Sequence, residues 1–229
     1  MMLLSATWYA LGYIAGLAAF GYMARRRGIA TAGVWMLMSA GLLGGLAGAN
    51  LTQLIITGSP GKTLLGGIAC GYLAVILTKR SLGIVRPTGD LFAMALAAGE
   101  AIGRWGCFFG ECCYGKIAPN LPWAVYEHGA LRHPTQAYLA LAATAVFIVL
   151  WQLHKKSLPE NALFYIQGTL FCAARFGIEF FREGPALFAG LTLAQLACLA
   201  GLAFFAYKMM DLIGKESAPS RRAPIAAAS

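Results

Sequence analysis

From Gly28 to Gly61 the chain carries no charged residue, and similar apolar runs recur along most of its 229 residues, separated by short basic clusters. A run of about 20 apolar residues is what an α-helix needs to cross a bilayer. Composition agrees: 59% of residues are hydrophobic and only 12% charged, about half the charge of a soluble domain. The chain lacks the polar surface to solvate a globular domain of this length, so it reads as one all-α, polytopic membrane domain.

Seven spans are expected. The first covers 7–24 and stops at Arg25, Arg26 and Arg27. Its charge follows the apolar run, which fits an uncleaved helix better than a signal peptide. The second ends near Ile56, before a Gly58-Ser59-Pro60-Gly61 turn. The third, 63–78, is short and closes on Lys79 and Arg80; a loop with Arg86 and Asp90 leads to the fourth, 91–109. A polar, cysteine-rich excursion over 110–132 precedes the fifth, 134–153. The sixth starts near Asn161 and the seventh covers 186–207. The transmembrane domain is bounded at 1–213, and the Ser/Pro/Ala-rich 214–229 reads as a disordered cytoplasmic tail.

Lysine and arginine alternate between the loops. Arg25 to Arg27, Lys79, Arg80, Arg86, Lys155, Lys156 and the four basic residues after Tyr207 fall on one side; Lys62, Lys116, Arg132 and Arg182 fall on the other. By the positive-inside rule the amino terminus is outside and the carboxyl terminus cytoplasmic. The net charge of +9 is therefore topological, and no nucleic-acid module accompanies it.

Against this apolar background two pairs stand out, Glu100 with Arg104 and Arg175 with Glu179. Ionised groups at membrane depth cost roughly 2.5–3.5 kcal/mol each and mark working sites. The i,i+4 spacing lets each glutamate orient its arginine, and a guanidinium fork suits a lipid phosphate. The plainer reading is a pair of structural ion bridges. Both pairs lie toward the outer face.

The motifs Gly103-Arg104-Trp105-Gly106-Cys107-Phe108-Phe109-Gly110-Glu111-Cys112-Cys113-Tyr114-Gly115, Leu121-Pro122-Trp123-Ala124-Val125, Arg132-His133-Pro134-Thr135-Gln136-Ala137-Tyr138 and Arg175-Phe176-Gly177-Ile178-Glu179-Phe180-Phe181-Arg182-Glu183 carry a family resemblance. In order and spacing they resemble the bacterial prolipoprotein diacylglyceryl transferases, with weaker echoes at Trp8-Tyr9, Gly66-Gly67 and Gln195. The resemblance implies a multi-pass enzyme of the bacterial cytoplasmic (inner) membrane with its site facing outward. Such an enzyme moves the diacylglyceryl group of phosphatidylglycerol to the lipobox cysteine thiol of a prolipoprotein and releases glycerol phosphate. Arg104 and Arg175 match the arginines that hold the phosphate, Glu179 the carboxylate that orients Arg175, and Arg182 and Tyr9 further positions of the pattern.

Several positions depart from that pattern. Leu65 stands where the family has a histidine, Cys107 where it has an asparagine, Gly110-Glu111-Cys112 where it has Asn-Gly-Glu, and Asn50 where an arginine is expected. These are functional positions, and they open the reading of a divergent member acting on another lipid, a glycan or a small molecule. A lipid-binding or thiol-redox membrane protein is the non-catalytic alternative. His133 is the remaining candidate base, with a structural brace as its other reading. Glu100, Gly106, Cys107, Gln136, Arg182 and Tyr9 are the expected substrate-binding set, and the expected partners are an anionic phospholipid and a prolipoprotein signal peptide. No cofactor and no metal are expected: the spacing of Cys107, Cys112 and Cys113 matches no zinc pattern, and a bridge from Cys107 to one of the other two is the plainest reading. Cys70, Cys172 and Cys198, inside apolar spans, read as small hydrophobes.

Overall fold

A computed structural model describes residues 2–59, 61 and 63–217. Seven helices account for most of it: α1 (Met2–Arg26), α2 (Ala32–Thr57), α3 (Leu64–Ser81), α4 (Gly89–Phe109), α5 (Thr135–Leu153), α6 (Ala162–Glu179) and α7 (Leu193–Ser217). Four are long and apolar enough to cross a membrane: Met2–Arg26, Ala32–Ile55, Thr135–Leu153 and Leu193–Gly214. The others carry more charge or are shorter. Thr31 caps α2 by accepting from Val34 N, and Gly58 ends it in the left-handed conformation, φ 66°, which costs glycine least.

Packing is pairwise. α1 lies along α4, α2 along α3, α4 also meets α5 and α6, and α6 meets α7. Small residues set the first two pairings, as in membrane bundles where backbones approach closely. A methyl on Gly12 would come within 2.9 Å of the Gly103 backbone, and one on Gly48 within 2.2 Å of Cys70 Cβ. The apolar core, built around Phe20, Met23, Leu91, Met94, Leu150 and Leu163, fills the half of the bundle near the Arg25–Arg27 end.

That end is tied by a polar lock absent from the sequence reading, which left Asp90 in a loop. Asp90 starts α4, is 1% exposed, and meets Arg27 Nη2 at 2.6 Å. It also accepts from the backbone N–H groups of Asn161 and Phe164, both at 3.0 Å, while Asn161 Oδ1 accepts from Gly89 N. Each helix thus satisfies donors at the start of the other.

Three boundaries differ from expectation. The seventh helix begins at Leu193 rather than 186, because Leu187 to Leu191 fold into a turn closed by backbone bonds. It runs to Ser217, so the first residues of the expected tail are helical, and 218–229 lie outside the described residues. The 110–132 excursion contains a hairpin, β1 (Val125–Glu127) with β2 (Ala130–Arg132). Its turn residues His128 and Gly129 both have positive φ, 47° and 78°, the geometry a two-residue hairpin requires. Isolated bridges join Gly115 to Arg182 and Ile117 to Arg132, which sews the end of α4, the hairpin and the end of α6 together.

Candidate active site

The stitched end holds the two charged pairs. Arg104 donates to Glu100 Oε1 through both Nε and Nη2, at 2.9 and 2.6 Å, so its i,i+4 pair is formed as the spacing predicts. Arg175 Nη2 lies 2.8 Å from Glu179 Oε2, and Arg182 Nε reaches the same oxygen at 3.5 Å. Glu179 therefore serves two arginines, and its other oxygen accepts from Thr192 Oγ1 at 3.3 Å.

These neighbours do not saturate the guanidinium groups. Arg175 is 6% exposed, yet its Nε and Nη1 have no hydrogen-bond partner; Arg182 Nε has none either, and Glu179 Oε2, within ion-pair range of both arginines, accepts no hydrogen bond. Buried donors without partners are rare and call for a missing acceptor. Arg104 and Arg182 both act electrostatically on Arg175, so three cations converge on one region. A narrow crevice between α4, α5 and α6 is lined by Glu100, Gln167 and Arg175 among apolar side chains such as Leu139, Val146 and Phe171. Buried charged and polar groups thus meet apolar walls there.

Tyr9 approaches from α1. Its ring lies on Gly106, where a methyl would come within 2.9 Å of Cδ1, and its hydroxyl donates to Cys107 Sγ at 3.2 Å. Cys112 and Cys113 fold back beside them. All six cysteines are free, so the expected bridge from Cys107 is not formed. In the loop, hydrogen bonds from the Cys107 and Cys112 thiols, with the nearby Arg182 and Arg104 charges, hold the Cys113 thiol below the usual range. The Cys112 thiol is pushed up, first by its bonds to Cys107 and Cys113.

Gln136 is fully buried and faces the cysteine loop. Its Nε2 donates to Cys112 O at 2.9 Å and to Glu127 Oε1 at 3.1 Å, while its Oε1 has no partner. Burial pushes the Glu127 carboxyl up, and the Gln136 bond pulls it part of the way back. His133 sits in an aromatic bracket: Nδ1 is 3.2 Å from the Tyr138 hydroxyl, which accepts from Trp123 Nε1 at 2.8 Å, and Phe181 packs on the ring at 5.0 Å. Its backbone pairs with Gly115 and Lys116, next to the Arg182 bridge.

The sequence reading missed Thr192 and Glu127 and gave Gln195 only as a weak echo. Gln195 is 2% exposed and accepts from Thr192 N through Oε1, leaving Nε2 without a partner beside the Glu179 network. Only a buried glutamine near a helix start hinted at it. His128 is exposed at the hairpin turn, where Nε2 donates to Glu111 O at 2.8 Å and the ring packs on Tyr114. Leu65 lies in the first turn of α3, and nothing is described of its side chain.

Comparison with known proteins accords with this geometry. The family model for prolipoprotein diacylglyceryl transferase matches residues 2–210. A Finegoldia magna protein is 32% identical over 154 residues, covering 66% of this chain and 61% of its own length. A Clostridioides difficile protein is 33% identical over 155 residues, covering 67% and 62%. One from Oleidesulfovibrio alaskensis is 30% identical over 227 residues, covering 86% and 85%. All three are named phosphatidylglycerol–prolipoprotein diacylglyceryl transferase. The chain spans about three fifths of the length of the first two.

Proposed function

The chain belongs to the prolipoprotein diacylglyceryl transferase family, and from that premise we propose that it transfers the diacylglyceryl group of phosphatidylglycerol to the cysteine thiol of a prolipoprotein lipobox. The observation that carries this reading is the buried Arg175 guanidinium with two unpartnered nitrogens, beside Arg104 and Arg182 at the head of an apolar crevice. A phosphodiester suits these donors: its oxygens accept from Arg175 Nε and Nη1, and Glu100 and Glu179 hold the arginines in place. Attack by the acceptor sulfur on the glyceryl carbon breaks the carbon–oxygen bond to phosphate. The departing oxygen keeps the electron pair, and the arginines stabilise the charge gathering there.

The acceptor proton needs a base. His133 takes that role in this reading, with Nδ1–H donating to the Tyr138 hydroxyl so that Nε2 is the accepting nitrogen. Tyr9, Gly106 and Cys107 shape the mouth of the site on the α1 side, and Gln136 Oε1 offers an acceptor for a lipid hydroxyl. In the bilayer all seven helices cross, with the amino terminus outside and the carboxyl terminus in the cytoplasm. The basic residues beside the Arg27–Asp90 lock support that orientation. The site then opens at the outer side of the bacterial inner membrane.

Purified protein given phosphatidylglycerol and a lipobox peptide is expected to release glycerol phosphate and form the thioether-linked diacylglyceryl peptide. A second reading, the same lipid with another acceptor, is favoured by the thiol cluster at Cys107. Head-group release with no lipidated peptide, together with failure to complement a strain depleted of its own transferase, decides for it. No release with either acceptor removes both.

A further inference from the structure

Beside the arginines lies a group of side chains that phosphate binding leaves unused. Cys107 is in the last turn of α4, and the chain reverses over it so that Cys112 N donates to Cys107 O at 3.2 Å. Glu111 and Cys113 take left-handed conformations in that reversal, φ 50° and 64°. Its effect is to bring three sulfurs within 4.8 Å of one another, the grouping of ligand atoms that stands out among the described residues.

The loop is pinned from α5. Thr135 Oγ1 donates to Cys113 O at 2.8 Å and Gln136 Nε2 to Cys112 O at 2.9 Å, and both side chains are 0% exposed. Ser5 Oγ donates to Gly106 O at 2.7 Å from the opposite side. Supports of this kind orient metal ligands in proteins that bind them. On the fourth side the Tyr9 hydroxyl stands 3.2 Å from Cys107 Sγ and 3.9 Å from Cys112 Sγ.

A four-coordinate ion with metal–sulfur bonds of about 2.3 Å sets its sulfurs about 3.8 Å apart. The observed group reaches that spacing by closing about 1 Å or less. A set of thiols with no carboxylate or imidazole selects a soft d10 ion over magnesium, calcium or manganese. Charge is compatible as well: three thiolates around a divalent ion leave one net negative charge, and Arg104 and Arg182 lie close to Cys113.

We propose that Cys107, Cys112 and Cys113 form a three-thiolate site for a thiophilic d10 cation, zinc or cuprous copper, with a fourth position beside the Tyr9 hydroxyl. Binding replaces three S–H protons by one metal ion and releases them to solvent, with no change of oxidation state. The spacing in sequence does not show the site because it depends on the reversal at Glu111.

The test uses the full chain in detergent micelles, reduced without oxygen by a phosphine, then given zinc alone or cuprous copper alone and desalted. Wild type is expected to keep about one ion per chain, with X-ray absorption showing sulfur neighbours at about 2.3 Å. Cys107→Ser and Cys113→Ser are expected to lower retention roughly tenfold or more, and Cys172→Ala to leave it unchanged. Retention of one metal and not the other supports the site and names the ion. Loss of both metals by wild type, full retention by the Cys107/Cys112/Cys113 triple serine variant, or a disulfide among these residues in protein trapped directly from membranes overturns it. The wild-type arms need no variant to fold, and metal content reads the site whether or not the transferase reading holds.

Discussion

Each end of the bundle sets an arginine against a buried carboxylate, and the two ends use that chemistry differently. At the Arg27 end, Asp90 accepts from one guanidinium and two backbone N–H groups that cap α6, so its acceptor capacity is engaged. At the Arg175 end, one carboxylate is shared by two guanidinium groups, and three buried nitrogens are left without acceptors. A saturated buried charge holds a fold together; an unsaturated one leaves donors free, which the proposed lipid phosphate requires. Tertiary packing supports the division, because the apolar core surrounds the first end while glycine contacts and a narrow crevice surround the second.

The largest effect expected from this contrast is on stability. Asp90→Ala leaves Arg27 and the α6 N–H groups without their shared acceptor. Breaking a buried pair of this kind costs about 3–5 kcal/mol, read as a drop in the thermal midpoint in micelles. Transfer per folded molecule should stay near wild type. A large fall in turnover without a fall in stability would break the comparison.

At the opposite end the effect should be kinetic. Arg175→Lys keeps a charge but loses the planar fork, and transfer is expected to fall roughly 10²–10³-fold, the cost of removing one preorganised donor. Thermal stability should hold or rise, since a buried donor without a partner is removed with the guanidinium. Unchanged glycerol phosphate release in this variant would end the phosphate-clamp reading.

Gly106→Ala probes the border between the two behaviours. The added methyl meets Tyr9 Cδ1 at 2.9 Å, and the ring, stacked along α4, has to move away from Cys107. Overpacking of this sort costs about 1–3 kcal/mol. The expected sign of the Tyr9 displacement is a coupled loss of stability and of cysteine-cluster order; a stability loss that Tyr9→Ala, which removes the ring carbons the methyl meets, fails to reduce would place the strain elsewhere.

The ion pairs were legible in the sequence because helical periodicity alone brings residues four apart onto one face, so Arg104 with Glu100 and Arg175 with Glu179 needed no tertiary knowledge. The seven apolar runs were legible for a similar reason: each corresponds to one helix. What escaped notice depended on distance along the chain. Asp90 finds Arg27 and Asn161 across two helix pairs, Gln136 finds Glu127 only after the hairpin folds, and Thr192 reaches Glu179 because Leu187 to Leu191 turn back. The late start of α7 belongs here too, since apolar Leu187 and Phe188 read as span until their backbone bonds show a turn.

The smallest effect concerns Glu127, in the hairpin above the cysteine loop. Its burial raises the carboxyl above the ordinary 4.5, while the Gln136 bond opposes the shift. The folded protein therefore keeps the proton over a range where the unfolded chain has released it. Stability from this group is fully present below about pH 4.5 and is lost as pH rises through the folded value, because unfolding then becomes favoured by proton release. Glu127→Gln keeps an acceptor for Gln136 Nε2 and cannot ionise, so its thermal midpoint should fall less than that of wild type as pH rises from about 4 to 8. If both fall in parallel, burial at this position is not felt by the carboxylate, and the hairpin is more open to water than the 3% exposure of Glu127 indicates.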